Sequence, residues 1–82
     1  MSKYEKLWEY ISTIFNNTND TKIELTFKEI EDCLNFKIDH SFLKYKKELL
    51  EYGYIVEKIK LKEQKVIFQK ILLYLNTNLN KN

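Results

Sequence analysis

The sequence has no arginine, no proline and no alanine, and it has only one glycine, one cysteine and one histidine. A single cysteine cannot form an internal disulfide, so a disulfide-stabilised secreted scaffold is excluded. One histidine and one cysteine cannot build a structural zinc site alone, and one glycine cannot supply a glycine-rich phosphate loop. The sequence therefore predicts no metal site, no cofactor and no enzymatic activity.

Long apolar runs are also missing. No run approaches the roughly 18–20 residues that cross a bilayer, and the first residues lack the apolar core of a secretory signal. We therefore expect a cytoplasmic protein without membrane contact. The 82 residues are 44% hydrophobic and 15% aromatic, which suffices for one small core. Residues 1–82 are interpreted as a single domain, with residues 71–82 as a C-terminal extension.

Lysine supplies all of the strong basic charge. The abundance of lysine, asparagine and isoleucine, whose codons are AT-rich, indicates a low-GC bacterium or one of its phages or plasmids. Residues 1–36 hold four lysines and seven acidic residues, whereas residues 37–82 hold ten lysines and five acidic residues. A basic C-terminal half suggests a polyanionic partner. A solvated surface in a lysine-rich proteome gives the same counts, so charge alone leaves both interpretations open.

The first half of the chain predicts a helix, a strand and a second helix. Apolar residues recur at helical spacing over residues 4–15, and the polar residues 16–20 end that helix. Residues 22–26 alternate between apolar and polar, which is typical of a short strand. Thr26 and Glu29 then have the spacing of a capping box, which begins a second helix of about two turns.

The second half predicts a third helix and a hairpin. Asp39 is expected to cap a helix over residues 40–52, and Gly53 is expected to end it in the left-handed conformation. Strands are expected over residues 55–61 and 66–71, joined by the loop 62–65. The predicted inward stripe of the third helix contains Phe42, Tyr45, Leu49 and Tyr52, with Leu43 and Leu50 alongside it. The residues expected in the core are Trp8, Ile11, Ile30, Leu34, Leu49, Ile55 and Phe68.

The order of these elements is that of a winged helix-turn-helix domain. Residues 25–30 (LTFKEI) resemble the start of the first helix of the pair in such domains. Residues 49–56 (LLEYGYIV) are similar to the passage from the recognition helix into the wing. The resemblance covers about residues 3–70. It implies an α+β domain of α-β-α-α-β-β order, to which we add a short C-terminal helical extension.

The sequence also resembles an uncharacterised family of small bacterial domains. The matching features are Tyr4 and Leu7, residues 26–31 (TFKEIE), residues 53–56 (GYIV) and residues 66–68 (VIF). The tryptophan-rich centre of that family is missing, and residues 44–50 occupy its place. This resemblance implies no known activity and supports the same fold.

The winged-helix resemblance implies a transcriptional regulator that binds double-stranded DNA, because the third helix of such a domain enters the major groove and the hairpin contacts the backbone. Lysine contacts would give affinity and salt dependence more than sequence readout. Nearby acidic residues weaken the field, and a solvated charged face remains the alternative. The candidate nucleic-acid-binding residues are His40, Ser41, Lys44 and Lys47 on the helix and Lys58, Lys60, Lys62 and Lys65 on the hairpin.

The C-terminal extension carries an apolar stripe that needs a covering surface. It either folds back on the first helix or pairs with a second chain. Helix-turn-helix proteins commonly bind paired half-sites as symmetric dimers, which favours a homodimer. The candidate dimer interface is Ile71, Leu72, Leu75 and Leu79.

A protein-interaction module is the competing interpretation. Winged helices also bind proteins, and a phage-encoded domain of this size fits an inhibitor of a host defence nuclease, similar in role to an anti-CRISPR protein. Such a protein would dock by its lysine face or by its aromatic residues. The net charge of +2 excludes a strongly acidic DNA mimic.

Overall fold

The computed structural model describes residues 2–71, which form a mixed α+β fold of three α-helices, a 3₁₀ segment and a three-stranded antiparallel sheet. In chain order the elements are α1 (Glu5–Asn16), β1 (Lys22–Thr26), α2 (Phe27–Leu34), α3 (Ser41–Tyr45), the 3₁₀ segment (Lys46–Tyr52), β2 (Tyr54–Lys60) and β3 (Lys65–Lys70). Ile71 is half-buried and is the last described residue. The predicted C-terminal helix, with the interface residues Leu72, Leu75 and Leu79, lies outside the described residues.

The strands lie in the order β1-β3-β2, so the short first strand pairs with hairpin strand β3. Val66 and Phe68 of β3 are fully buried. Leu25 and Ile59 flank Val66 in the ladder, one on each side. The sheet thus has an apolar face toward the helices and a charged face away from them, because side chains alternate along a strand. The register of β2 shifts between Val56 and Lys58, which marks a bulge at Glu57.

An aromatic cluster forms much of the core between α1 and the third helix. The Tyr4 ring is fully buried, and four other aromatic rings lie with their centroids 5.6–5.8 Å from its own. Those rings belong to Trp8, Phe36, Phe42 and Tyr45. At the other end of α1, Phe15 stacks on Tyr54 at 4.6 Å.

Six of the seven predicted core residues are buried: Trp8, Ile11, Ile30, Leu34, Leu49 and Phe68. The prediction for Ile55 is wrong, since this residue is only half-buried. Its ladder partner is Gln69, and the alternation places both residues on the side of the sheet away from Phe68.

The predicted capping box of α2 and the predicted left-handed end of the third helix are confirmed. At the start of the third helix, His40 rather than the predicted Asp39 occupies the N-cap position, and its side chain makes no capping hydrogen bond. The Glu29 amide donates to Thr26 Oγ1 at 3.0 Å, and the Thr26 amide donates to Glu29 Oε1 at 2.8 Å. Thr26 is both the last residue of β1 and the cap of α2, so no loop separates the two elements. The Phe27 amide donates to the Gln64 carbonyl at 2.8 Å, which ties this junction to the hairpin turn. Gly53 is left-handed with φ of 93°, as expected.

The third helix differs from the prediction of one α-helix over residues 40–52. It begins as α3 and continues as the 3₁₀ segment, whose seven residues rise about 14 Å rather than the roughly 10 Å of an α-helix. In the predicted inward stripe, Phe42 and Leu49 are buried and Tyr45 is half-buried. The prediction for Tyr52 is wrong, since this residue is 37% exposed. Its ring lies at the rim of a cleft that Glu5 and Trp8 also line.

The hairpin strands begin one residue earlier than predicted. The turn is Leu61–Gln64 rather than residues 62–65, and Lys65 already pairs with Lys60. Gln64 supplies the left-handed turn residue, with φ of 57°, in a turn that contains no glycine or asparagine.

Candidate binding surface

An apolar groove runs between the third helix and strand β2. We use this name for two apolar cavities of about 430 Å³ and about 370 Å³, which share Leu43 as a lining residue. We refer to the larger cavity, toward the hairpin turn, as the turn end and to the smaller cavity as the lysine end. The turn end is lined by Phe27, Ile38, Asp39, His40, Phe42, Leu43, Ile59, Leu61 and Val66. The lysine end is lined by Leu43, Lys46, Lys47, Leu50, Ile55 and Val56. Ile55 lines it although its register turns it away from Phe68, because β2 is an edge strand of the sheet.

The groove collects exposed leucines from both of its walls. On the helix wall, Phe42 turns into the core, so the next residue, Leu43, faces solvent and is 56% exposed. On the hairpin wall, Leu61 begins the turn, where no inward side remains, and is 75% exposed. Leu50 is exposed as well. Contiguous exposed apolar surface of this kind marks an interaction site more often than scattered single residues do.

The charges of the groove are unevenly placed. At the turn end, Asp39 Oδ1 accepts the Ser41 amide at 2.9 Å and the Ser41 hydroxyl at 2.5 Å. These two hydrogen bonds hold the pKa of the Asp39 carboxyl below its usual value. At the lysine end, Lys46 is half-buried and Lys47 is exposed. The groove therefore has one end with two lysines that form no ion pair within residues 2–71 and one end whose carboxylate is already engaged.

Among the predicted helix contacts, His40, Lys44 and Lys47 are exposed. The Lys44 ammonium lies 5.6 Å from the centroid of the Tyr45 ring. Ser41 is half-buried, and its hydroxyl lies 2.6 Å from the Tyr4 hydroxyl as well as contacting Asp39. The Ser41 side chain is thus engaged within the fold and does not present a free donor to a ligand.

The predicted hairpin lysines fall on the charged face of the sheet. The spacing of Lys58, Lys60 and Lys62 at every second residue predicts that they share one face of a strand. Lys58 pairs with Ile67 and Lys60 pairs with Lys65, so the prediction is confirmed for these two and is wrong for Lys62. Lys60 and Lys65 both form ion pairs with Glu24, at 3.2 and 3.6 Å. The hydrogen bond from Lys60 is the main reason why the pKa of Glu24 is lowered. Lys62 lies in the turn, outside both strands.

The helix lysines and the strand lysines do not form one surface. The third helix lies over the apolar face of the sheet, where Leu49 joins the core with Phe68. The strand residues Lys58, Lys60 and Lys65 lie on the opposite face by register. Only Lys62, in the turn, is not assigned to that face by the ladder.

The groove residues Leu43, Leu50 and Leu61 were missed by the sequence interpretation as a binding surface. The prediction that Leu43 and Leu50 lie alongside the inward stripe is wrong, since both are more than half exposed. The one available indication was Leu61, an apolar residue between two lysines.

The Cys33 thiol and the carboxylates of α2 contact other groups within the fold. Cys33 is half-buried with its thiol 3.7 Å from the Lys6 carbonyl, and burial raises its pKa, which disfavours the reactive thiolate. The Ile38 amide donates to Glu31 Oε2 at 3.0 Å, and Asp32 pairs with Lys28. Within residues 2–71, no group of three or more His, Cys, Asp or Glu side chains could hold a metal ion. No helix of this described part is long and apolar enough to cross a membrane.

Comparison with protein-family models gave no match, and comparisons with curated proteins and with solved structures gave no significant match. The function is therefore inferred from the groove and from the lysines.

Proposed function

We propose that this chain is a binding module of winged-helix type whose partner is another protein held in the groove. The α-β-α-α-β-β order, the antiparallel β1-β3-β2 sheet and the passage through Gly53 into the hairpin support the winged-helix part of the proposal. An inhibitor that docks on a host nuclease would be one such module.

The observation that carries the proposal is the pair of exposed leucines on opposite walls. Leu43 and Leu61 line the same cavity, with Phe42 and Val66 also lining it. Complete burial of one leucine side chain stabilises by about 1.5–3 kcal/mol, so a partner that covers both leucines gains a substantial hydrophobic contribution. A DNA backbone of phosphates and sugars offers no apolar group of matching size, whereas a protein side chain does.

The shape of the groove favours a protein segment over a small ligand. Small-molecule sites are concave pockets with a few convergent polar groups. Here the cavity at the turn end has two polar side chains, Asp39 and His40, and Asp39 is already hydrogen-bonded to Ser41. The β2 wall runs from Ile55 to Leu61, which is about 20 Å of extended chain. A helix or an extended segment of a partner fits this length.

The test is selection of peptides from a random display library on the purified protein. Peptides recovered on the wild type should bind at least tenfold more weakly to the Leu43→Glu/Leu61→Glu variant, because two charged side chains then line the cavity. Tyr10→Glu is the matched control, since Tyr10 is an exposed apolar residue of α1 outside the groove. The proposal is refuted if no peptide is enriched, or if the recovered peptides bind the wild type and the Leu43→Glu/Leu61→Glu variant equally well.

DNA binding is a second candidate function, and the exposed lysines of the third helix favour it. Lys44, Lys47 and Lys62 take part in none of the ion pairs formed among residues 2–71. In a winged helix these positions face the major groove and the backbone. The protein would then act as a transcriptional regulator.

A duplex-DNA mobility-shift assay at two salt concentrations tests this candidate. Lys44→Glu/Lys47→Glu should abolish binding, and Lys62→Glu should weaken it equally for all sequences. Each lost phosphate contact should reduce the salt slope by about one. Unchanged affinity in the helix variant rejects a recognition helix, and no shift at about 50 mM salt rejects DNA binding.

A further inference from the structure

The two ends of the groove differ in the side chain that each can accept. The turn end offers an apolar cavity bounded by Phe42, Ile59 and Val66. At the lysine end, the charged lining residues are Lys46 and Lys47, and no acidic residue of the described chain lines it. A segment lying along the groove therefore meets an apolar cavity first and two ammonium groups next.

The lysines at this end are available for a partner. The ion pairs within residues 2–71 use Lys22, Lys28, Lys60 and Lys65, and neither Lys46 nor Lys47 takes part in them. Lys46 is half-buried and Lys47 is exposed. Both line the cavity, so a carboxylate held there is attracted by two positive charges.

We infer that the partner segment carries a large apolar side chain and, beyond it, one or two carboxylates. The apolar side chain occupies the turn end, and the carboxylates lie against Lys46 and Lys47. This inference rests on the proposed function and adds the chemistry and direction of the partner. Leu43 lines both cavities, so the apolar side chain and the carboxylates of the partner lie on either side of Leu43 along the groove.

The experiment uses the peptides recovered by display and measures their affinity by fluorescence anisotropy. The recovered sequences should share a large apolar residue and, at a constant spacing from it, an Asp or Glu. Lys46→Ala/Lys47→Ala should weaken binding about three- to tenfold, within the range of partly exposed ion pairs. Replacing the peptide carboxylates by amides should weaken wild-type binding by the same factor. The lysine variant and the wild type should then bind the amide peptide with equal affinity.

The matched control is Lys60→Ala/Lys65→Ala, which removes the same charge from the opposite face of the sheet and should not change peptide affinity. The pairing of Lys47 with the peptide acid is tested by charge exchange. The Lys47→Glu variant should bind a peptide in which Lys replaces the shared acid more tightly than it binds the original peptide. If Leu43→Glu/Leu61→Glu abolishes binding but the recovered peptides are neutral or basic, the inference is wrong and the groove function stands. If wild-type dimers dissociate with Leu43→Glu, a second copy occupies the groove and the inference is also overturned.

Discussion

The hydroxyl oxygen of Tyr4 lies 2.6 Å from that of Ser41, a contact between residues 37 positions apart in the chain. Because the Ser41 hydroxyl donates its hydrogen to Asp39, the Tyr4 hydroxyl is the donor in this contact. The chain of three polar groups joins the start of α1 to the start of α3. It thereby fixes the helix wall that carries Leu43.

Removal of the Tyr4 hydroxyl should therefore destabilise the fold without changing its core. Tyr4→Phe keeps the buried ring and should lower the free energy of unfolding by about 0.5–1.5 kcal/mol. Ser41→Ala should have a similar effect, and the double variant should lose less than the sum of the two. Urea denaturation measures all three, with Tyr10→Phe as the exposed control. Full additivity would contradict a direct hydrogen bond.

The Asp39 carboxylate should make the free energy of unfolding decrease as the pH is lowered. Its pKa is lowered in the folded state by the two Ser41 hydrogen bonds, so its contribution is present above the model-peptide pKa of about 3.9 and is lost as pH falls through the lowered pKa. The stability difference between wild type and Asp39→Asn should therefore shrink on acidification. Glu24 titrates in the same direction but is common to both proteins. A constant difference between pH about 6 and about 2 would contradict the assignment.

Truncation of two leucines of the third helix should change the free energy of unfolding by very different amounts. Leu49 is fully buried, and Leu49→Ala should cost about 2–5 kcal/mol, which is enough to unfold a domain of this size. Leu43→Ala, on the exposed side, should change stability by less than about 0.5 kcal/mol. Thermal denaturation by circular dichroism compares them. Comparable losses would mean that Leu43 is a core residue.

The dimer prediction for the C-terminal stripe needs a solution measurement. Sedimentation of the wild type at tens of micromolar should show a dimer, and Leu72→Glu/Leu75→Glu should give a folded monomer, because two charges in an apolar interface are costly. A wild-type monomer whose double variant is unfolded would instead indicate packing within the chain.

Features set by neighbours in the chain were predictable. The Thr26–Glu29 capping box, the alternating strand at residues 22–26 and left-handed Gly53 each depend on residues within one turn or one strand. The errors come from contacts between distant residues. Ile55 lies on the side of the sheet away from Phe68 because of its register with Gln69. Lys60 forms an ion pair with Glu24, which is 36 residues away in the chain.

The candidate site shows the same division. Periodicity correctly put Lys58 and Lys60 on one face of a strand, but it does not say which face the third helix covers. The sequence therefore listed helix and hairpin lysines as one surface, although the ladder places the strand lysines on the opposite side. The engagement of Ser41 with Tyr4 likewise depends on how the first and third helices meet.

The junction at Thr26 has a consequence for how the groove binds. Strand β1 passes into α2 without an intervening residue, and the Phe27 amide is anchored to the Gln64 carbonyl of the hairpin turn. Phe27 and Leu61 both line the turn end, so this hydrogen bond holds the start of α2 against the hairpin wall. A partner that binds there spends less binding free energy on ordering these two walls.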